Sequence, residues 1–222
     1  PVLVEGPMDA IAVALATDGR AIGLAPLGTS LTDEQASQLH SLGHTPVIAT
    51  DADEAGQSAA ERDFWLLTPY GLDPLHALLR DRTDPADLVA SGAQQALADA
   101  IQAARPLADT LIDGLLVHAP KANGALDALR VVAAQPSPRW VSGVGAIAQK
   151  SQLPATLLRS ALVPIVRAWN CDPRGASQQA AFCPAHANEV ENRDQVMQVP
   201  GSRRPEHRDT PHSGEPHVGP RR

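Results

Sequence analysis

The chain has 222 residues, 43% hydrophobic but only 3% aromatic, so its core has to be assembled from Ala, Leu, Val and Ile. No run approaches the roughly 18 consecutive apolar residues of a membrane span. Two cysteines, Cys171 and Cys183, are too few for a disulfide framework or a four-cysteine zinc site, and a reducing, cytoplasmic setting is expected. The net charge of −7 argues against gripping nucleic acid by bulk electrostatics, but it leaves open a site that meets phosphate through a metal ion.

The first zone, residues 1–90, alternates short apolar runs with helical patterns. Pro1-Val4 reads as a strand, with no Met and no signal peptide before it, as expected of a chain that continues upstream. Met8 to Ala16 has helical periodicity, with Pro7 in its first turn. Ala21-Ala25 is a second strand, followed by the loop Pro26-Leu27-Gly28-Thr29-Ser30. Thr32 and Gln35 form a capping-box pattern for a helix that runs to Leu42 and stops at Gly43. Pro46-Thr50 is a third strand, Glu54 to Leu67 a helix, and Leu72-Leu79 a weaker fourth strand. Strands separated by helices imply crossover connections and a mostly parallel sheet.

In residues 91–170 the strand signal is absent. Ala93-Ala104, Pro106-Val117, Asn123-Ala134, Val141-Lys150 and Pro154-Trp169 read as successive amphipathic helices with Pro in the turns. Residues 171–222, rich in Pro, Gly, Arg and His, read as a disordered tail whose seven Arg are matched by seven acids.

The chemistry concentrates in two acidic clusters, each just past a strand. Val4-Glu5-Gly6-Pro7-Met8-Asp9 follows the first, and Asp51-Ala52-Asp53-Glu54-Ala55-Gly56 follows the third. In a parallel sheet both lie at the carboxyl edge, where open α/β sheets place their ligands. Asp51 and Asp53, two apart in an extended segment, point to one side. Two like charges about 4 Å apart repel by about 4 kcal/mol at an effective dielectric near 20. Either one carboxylate is protonated or a cation sits between them, and oxygen ligands alone suit Mg²⁺ or Mn²⁺. A helix cap is the plainer reading of the second cluster; Glu5 at the end of another strand weighs against it.

These clusters resemble the TOPRIM domain shared by bacterial primases, topoisomerases, overcoming-lysogenisation-defect nucleases and recombination proteins. The primase branch is the best match. Val4-Glu5-Gly6-Pro7-Met8-Asp9 resembles its Val-Glu-Gly-x-x-Asp, and Leu27-Gly28-Thr29-Ser30-Leu31-Thr32 its Leu-Gly-Thr loop. Asp51-Ala52-Asp53-Glu54-Ala55-Gly56 resembles its Asp-x-Asp-x-Ala-Gly, and Asp81-Arg82-Thr83-Asp84-Pro85-Ala86-Asp87-Leu88 its Asp-Gly-x-Asp-Pro-x-Asp-Leu, with Arg82 where the branch has Gly. Residues 91–170 resemble the helical subdomain that follows TOPRIM in primases. The resemblance implies an α/β TOPRIM fold and Mg²⁺- or Mn²⁺-dependent RNA primer synthesis. The implied partners are single-stranded DNA, nucleoside triphosphates and a replicative helicase. It gives Glu5 the acid/base or metal-poising role and makes Asp51 and Asp53 the metal ligands, with Asp9, Asp81 and Asp84 as outer members of the acidic site. Gly6, Gly28 and Gly56 become loop glycines that allow close backbone approach. For Asp9 and Asp84 the residues themselves also permit a helix-cap reading.

Neither the amino-terminal zinc module nor the basic subdomain of such primases is present in these residues, so the isolated chain is expected to prime poorly. A TOPRIM nuclease and a non-catalytic module that binds DNA or a partner are the rival readings. Tyr70, the only tyrosine, follows Pro69 in a position better suited to packing than to topoisomerase chemistry. Cys171, Cys183 and His186 lack the spacing and the fourth ligand of a zinc site.

Overall fold

The computed structural model describes residues 1–26, 28, 30–51, 54–79, 83–118 and 121–181. Asp53, Asp81, Cys183, His186 and the remainder of the expected tail lie outside the described residues.

A five-stranded sheet is built from β1 (Val2–Leu3), β2 (Gly23–Leu24), β3 (Val47–Ile48), β4 (Leu75–His76) and β5 (Arg105–Pro106), in the order β2-β1-β3-β4-β5. The first four strands are mutually parallel, as their helical connections require, and β5 joins β4 antiparallel. Residues 91–170 therefore contain a strand that the sequence pattern does not reveal. A two-residue strand has no visible alternation, and Pro106 is tolerated only because β5 is the sheet edge.

The helices sort by sheet face. α1 (Pro7–Ala16) lies on the face of Val2, Val4, Ala49 and Ala77, with Val13 fully buried among them. α4 (Pro85–Ala90) and α5 (Gln94–Gln102) pack on α1 through Leu88 and Leu97 against Ala12. α4 is too short to show a period. α5, expected in the helical zone, belongs with the sheet because Leu97 is buried beside α1.

The opposite face, Leu3 and Ile48, is covered by α2 (Asp33–Ser41) and α3 (Glu54–Leu67). Thr32 caps α2 as expected: its Oγ1 accepts from the Gln35 amide at 3.2 Å, and the Gln35 side chain accepts from the Thr32 amide at 2.9 Å. Gly43, at φ 68, takes the left-handed conformation beyond the helix end. A short 3-10 turn, Thr68–Tyr70, closes α3, with the Thr68 hydroxyl donating to the Phe64 carbonyl at 2.9 Å.

The core of this face continues into α6 (Leu107–His118), α7 (Lys121–Ala134), α8 (Trp140–Ser151) and α9 (Ala155–Cys171). Leu3, Ile48, Phe64, Leu107, Ile112, Leu129, Val132, Ile147 and Leu158 form one cluster. Sheet and bundle are thus one packed unit, with no break in the core at residue 90. α10 (Pro173–Ala181), the last helix among the described residues, occupies the start of the segment expected to be disordered. It folds because Ser177 and Ala180 are buried against α3 and α9, contacts that its Ala- and Gln-rich sequence does not advertise.

At Gly23, α1 approaches the sheet closely. A Cβ there would run into the backbone of Ala10. Gly23→Ala should therefore destabilise the protein by about 2 kcal/mol, because backbone rather than a flexible side chain must yield. Urea titration checks this; a variant as stable as the wild type would show that α1 can slide.

Candidate functional site: a carboxylate edge

The register that sets Leu3 beside Ile48 brings the carboxyl ends of β1 and β3 together. Ala49 donates its amide to the Leu3 carbonyl at 2.8 Å. One step further on, Asp51 donates its amide to Glu5 Oε1 at 3.2 Å, across 46 residues of sequence. Glu5 is exposed and Asp51 half-buried, so both are open to a ligand at this edge.

The turn after β3 is held closed at its base. The buried Thr50 hydroxyl donates to the Gly56 carbonyl at 3.0 Å. A Cβ at Gly56 would collide with the Asp51 carbonyl oxygen, so only glycine lets α3 start this close to the acidic turn. Gly6 serves differently: its absent Cβ spares the Asp9 carboxylate, 3.1 Å away. Gly28 meets only ordinary contacts and has no comparable steric requirement.

Asp9 links two of the sequence motifs. Its Oδ2 accepts from the Gly6 amide at 3.0 Å and its Oδ1 from the Ala86 amide at 3.1 Å, tying the starts of α1 and α4 together. Asp84 caps α4, with Oδ1 accepting from the Asp87 amide at 2.6 Å. The helix-cap geometry is therefore realised at both residues. Among the described residues no three His, Cys, Asp or Glu are grouped to hold a metal ion. Glu5 and Asp51 meet in a single contact, and Asp53 and Asp81 lie outside the described residues.

Two titratable residues here were not anticipated from sequence. Burial pushes the Asp63 carboxyl up to about 7; the Arg62 charge opposes the shift and the Glu5 charge adds to it. Asp63 sits one residue before the fully buried Phe64 on α3, a polar break in the stripe Gly56, Ala60, Phe64, Leu67. That break is the signal that could have revealed it. His76 on β4 is 8% exposed, burial lowers its pKa, and its Nδ1 has no hydrogen-bond partner among the described residues. Tyr70 has the packing role expected of it: its hydroxyl donates to the Asp33 carbonyl and accepts from Arg174.

A mostly parallel sheet carrying carboxylates at the ends of its first and third strands has the arrangement expected of a TOPRIM domain. A family profile described as Toprim-like matches residues 2–89. The DNA primase of Halalkalibacterium halodurans is 41% identical over 88 residues, 40% of this chain and 14% of that protein. A DNA primase domain from Pseudomonas aeruginosa superposes with a TM-score of 0.60 at 24% identity, over 75% of this chain and 53% of that one. The DnaG primase catalytic domain bound to single-stranded DNA gives 0.59 at 24% identity, over 70% of this chain and 52% of that one. Residues 2–89 thus match the Toprim-like family and are similar in sequence to a stretch of a bacterial DNA primase, and the likeness of fold extends into the helices that follow. The matched region spans about half of these solved domains and a small part of the curated relative.

Proposed function

We propose that this chain is part of the catalytic core of a bacterial-type DNA primase, a nucleotidyltransferase that makes RNA primers on single-stranded DNA in the cytoplasm. The observation that carries this reading is the Asp51–Glu5 contact at the carboxyl edge of a Toprim-like sheet. Glu5, Asp51 and Asp53 would hold Mg²⁺ or Mn²⁺: their donors are all oxygen, and few enough to leave positions for water and substrate phosphate. When bound, the ion neutralises triphosphate charge and favours attack by the primer hydroxyl. Glu5 is the residue on which activity depends most. Asp9 contributes chiefly by joining the first and fourth motifs, since both its oxygens already accept backbone amides. Asp84, the cap of α4, and Asp81 are assigned outer roles in this acidic site. The partners are nucleoside triphosphates, the template strand and a replicative helicase.

Phosphate-backbone binding needs several Lys or Arg on one face, and this chain carries a charge of −7. By itself it should make little primer even with Mn²⁺. Joined to the remaining half of a primase core it should prime, and Glu5→Gln should lower that activity at least about 100-fold while keeping the fold. Priming by Glu5→Gln at the wild-type rate would end the proposal. Glu5-dependent degradation of single-stranded DNA by the chain alone would move the assignment to the nuclease branch.

A further inference from the structure

α10 is poorly equipped to hold itself in place. Its sequence is Pro-Arg-Gly-Ala-Ser-Gln-Gln-Ala-Ala, and its buried side chains, Ser177 and Ala180, are small. What fastens it is Arg174. Its Nη2 lies 3.3 Å from Asp33 Oδ2 and donates to the Tyr70 hydroxyl at 2.8 Å, while Cζ stands 5.2 Å over the Tyr70 ring. The Tyr70 hydroxyl in turn donates to the Asp33 carbonyl at 3.0 Å.

The three residues come from separate parts of the fold. Asp33 is the first residue of α2, directly after the capping Thr32 and the buried Leu31. It thus ends the segment that leaves β2, the strand paired with the one that leads into Glu5. Tyr70 is fixed from beneath by the turn that closes α3, where Gly71 donates its amide to the Thr68 carbonyl at 2.9 Å. Arg174 therefore connects the last helix to the first turn of α2 over a rigid aromatic platform.

We infer that α10 is a salt-releasable strap, latched by Arg174, whose docking orders the first turn of α2. This goes beyond the primase reading and does not rest on it. The ion pair is open to solvent, with the Arg174 and Asp33 side chains 61% and 57% exposed, so mobile ions screen it. Once it is screened, the helix is held by the Tyr70 stacking and hydrogen bond, the Asp172 cap and the small buried side chains Ser177 and Ala180. Docked and released forms differ locally, and both α10 and α2 report which one is present.

The test is amide hydrogen exchange by NMR on the full chain, at about 0.05 M and about 0.5 M NaCl, where the screening length falls from roughly 14 Å to roughly 4 Å. The chains compared are the wild type, Arg174→Gln, Arg174→Lys and Tyr70→Phe. In low salt, Arg174→Gln should speed exchange at residues 177–180 and at the Gln35 and Ala36 amides together, by roughly tenfold. Amides of β1 and α7 should keep their rates. High salt should bring the wild type part of the way to those rates, because the Tyr70 hydrogen bond and stacking survive screening, and leave Arg174→Gln unchanged. Arg174→Lys should restore part of the protection, and Tyr70→Phe should lose part of it. Faster exchange in α10 with Gln35 and Ala36 unaffected would overturn the inference, as would unchanged rates at both. Uniformly faster exchange through the core would also overturn it, because α10 would then be an integral support rather than a strap.

Discussion

At pH 8 the Asp63→Asn variant should be more stable than the wild type by as much as about 4 kcal/mol, less the cost of burying the amide, and the advantage should disappear near pH 4. Asp63 lies on the inward side of α3, and burial lifts its carboxyl from 3.8 to about 7, with Arg62 opposing and Glu5 reinforcing the shift. The folded pKa is above the unfolded one, so folding favours the protonated acid. Below pH 3.8 the acid is neutral in both states and costs nothing. Between pH 3.8 and 7 the unfolded chain releases the proton while the folded chain keeps it, and stability falls. Above pH 7 both states are ionised and the full cost is present. Asparagine removes the titration and should flatten this slope. Urea titrations of both proteins at pH 4, 6 and 8 measure it directly. A difference that stays constant across the three pH values would mean that Asp63 ionises as an ordinary surface acid.

That the sequence announces Glu5 and Asp51 but not Asp63 has a physical cause. Glu5 and Asp51 follow strands, so their place at the carboxyl edge depends only on strand positions and a parallel sheet, both legible from apolar runs and intervening helices. Asp63 matters because of how deeply α3 is covered there; the polar break it makes in the apolar stripe marks its face but does not report that burial. The same division runs through the fold. α3 is bounded at Glu54 and Leu67 as its periodicity predicts, and the Thr32–Gln35 box caps α2 through bonds within one turn. β5 is a two-residue strand made visible only by its pairing with β4. α10 has no apolar side chain larger than Pro or Ala and takes its order from Arg174 and from its contacts with α3 and α9. Elements defined by contacts within a turn were readable, whereas those defined by a distant partner were not.

Phe64→Ala should lower stability by about 3–5 kcal/mol, and it should do so for the sheet and the bundle together. Phe64 is fully buried, packs edge-on against Trp65 at 5.0 Å between ring centroids, and belongs to the same cluster as Leu3 on the sheet and Leu129 and Ile147 in the bundle. Trp65 also meets Trp169 of α9, at 6.4 Å between centroids, so an aromatic chain crosses from the strand-bearing half to the helical half. A cavity in a shared core is felt on both sides, because neither half can relax alone. Losing 3–5 kcal/mol is a large share of the roughly 5–15 kcal/mol that holds a domain folded. Amide exchange in β1 and in α7 should therefore accelerate by the same factor, and tryptophan fluorescence and far-UV circular dichroism should report one coincident unfolding transition. If β1 exchanged faster while α7 kept its wild-type protection, residues 1–90 and 91–170 would be separately stable units, and the continuous core seen here would be an interface between them.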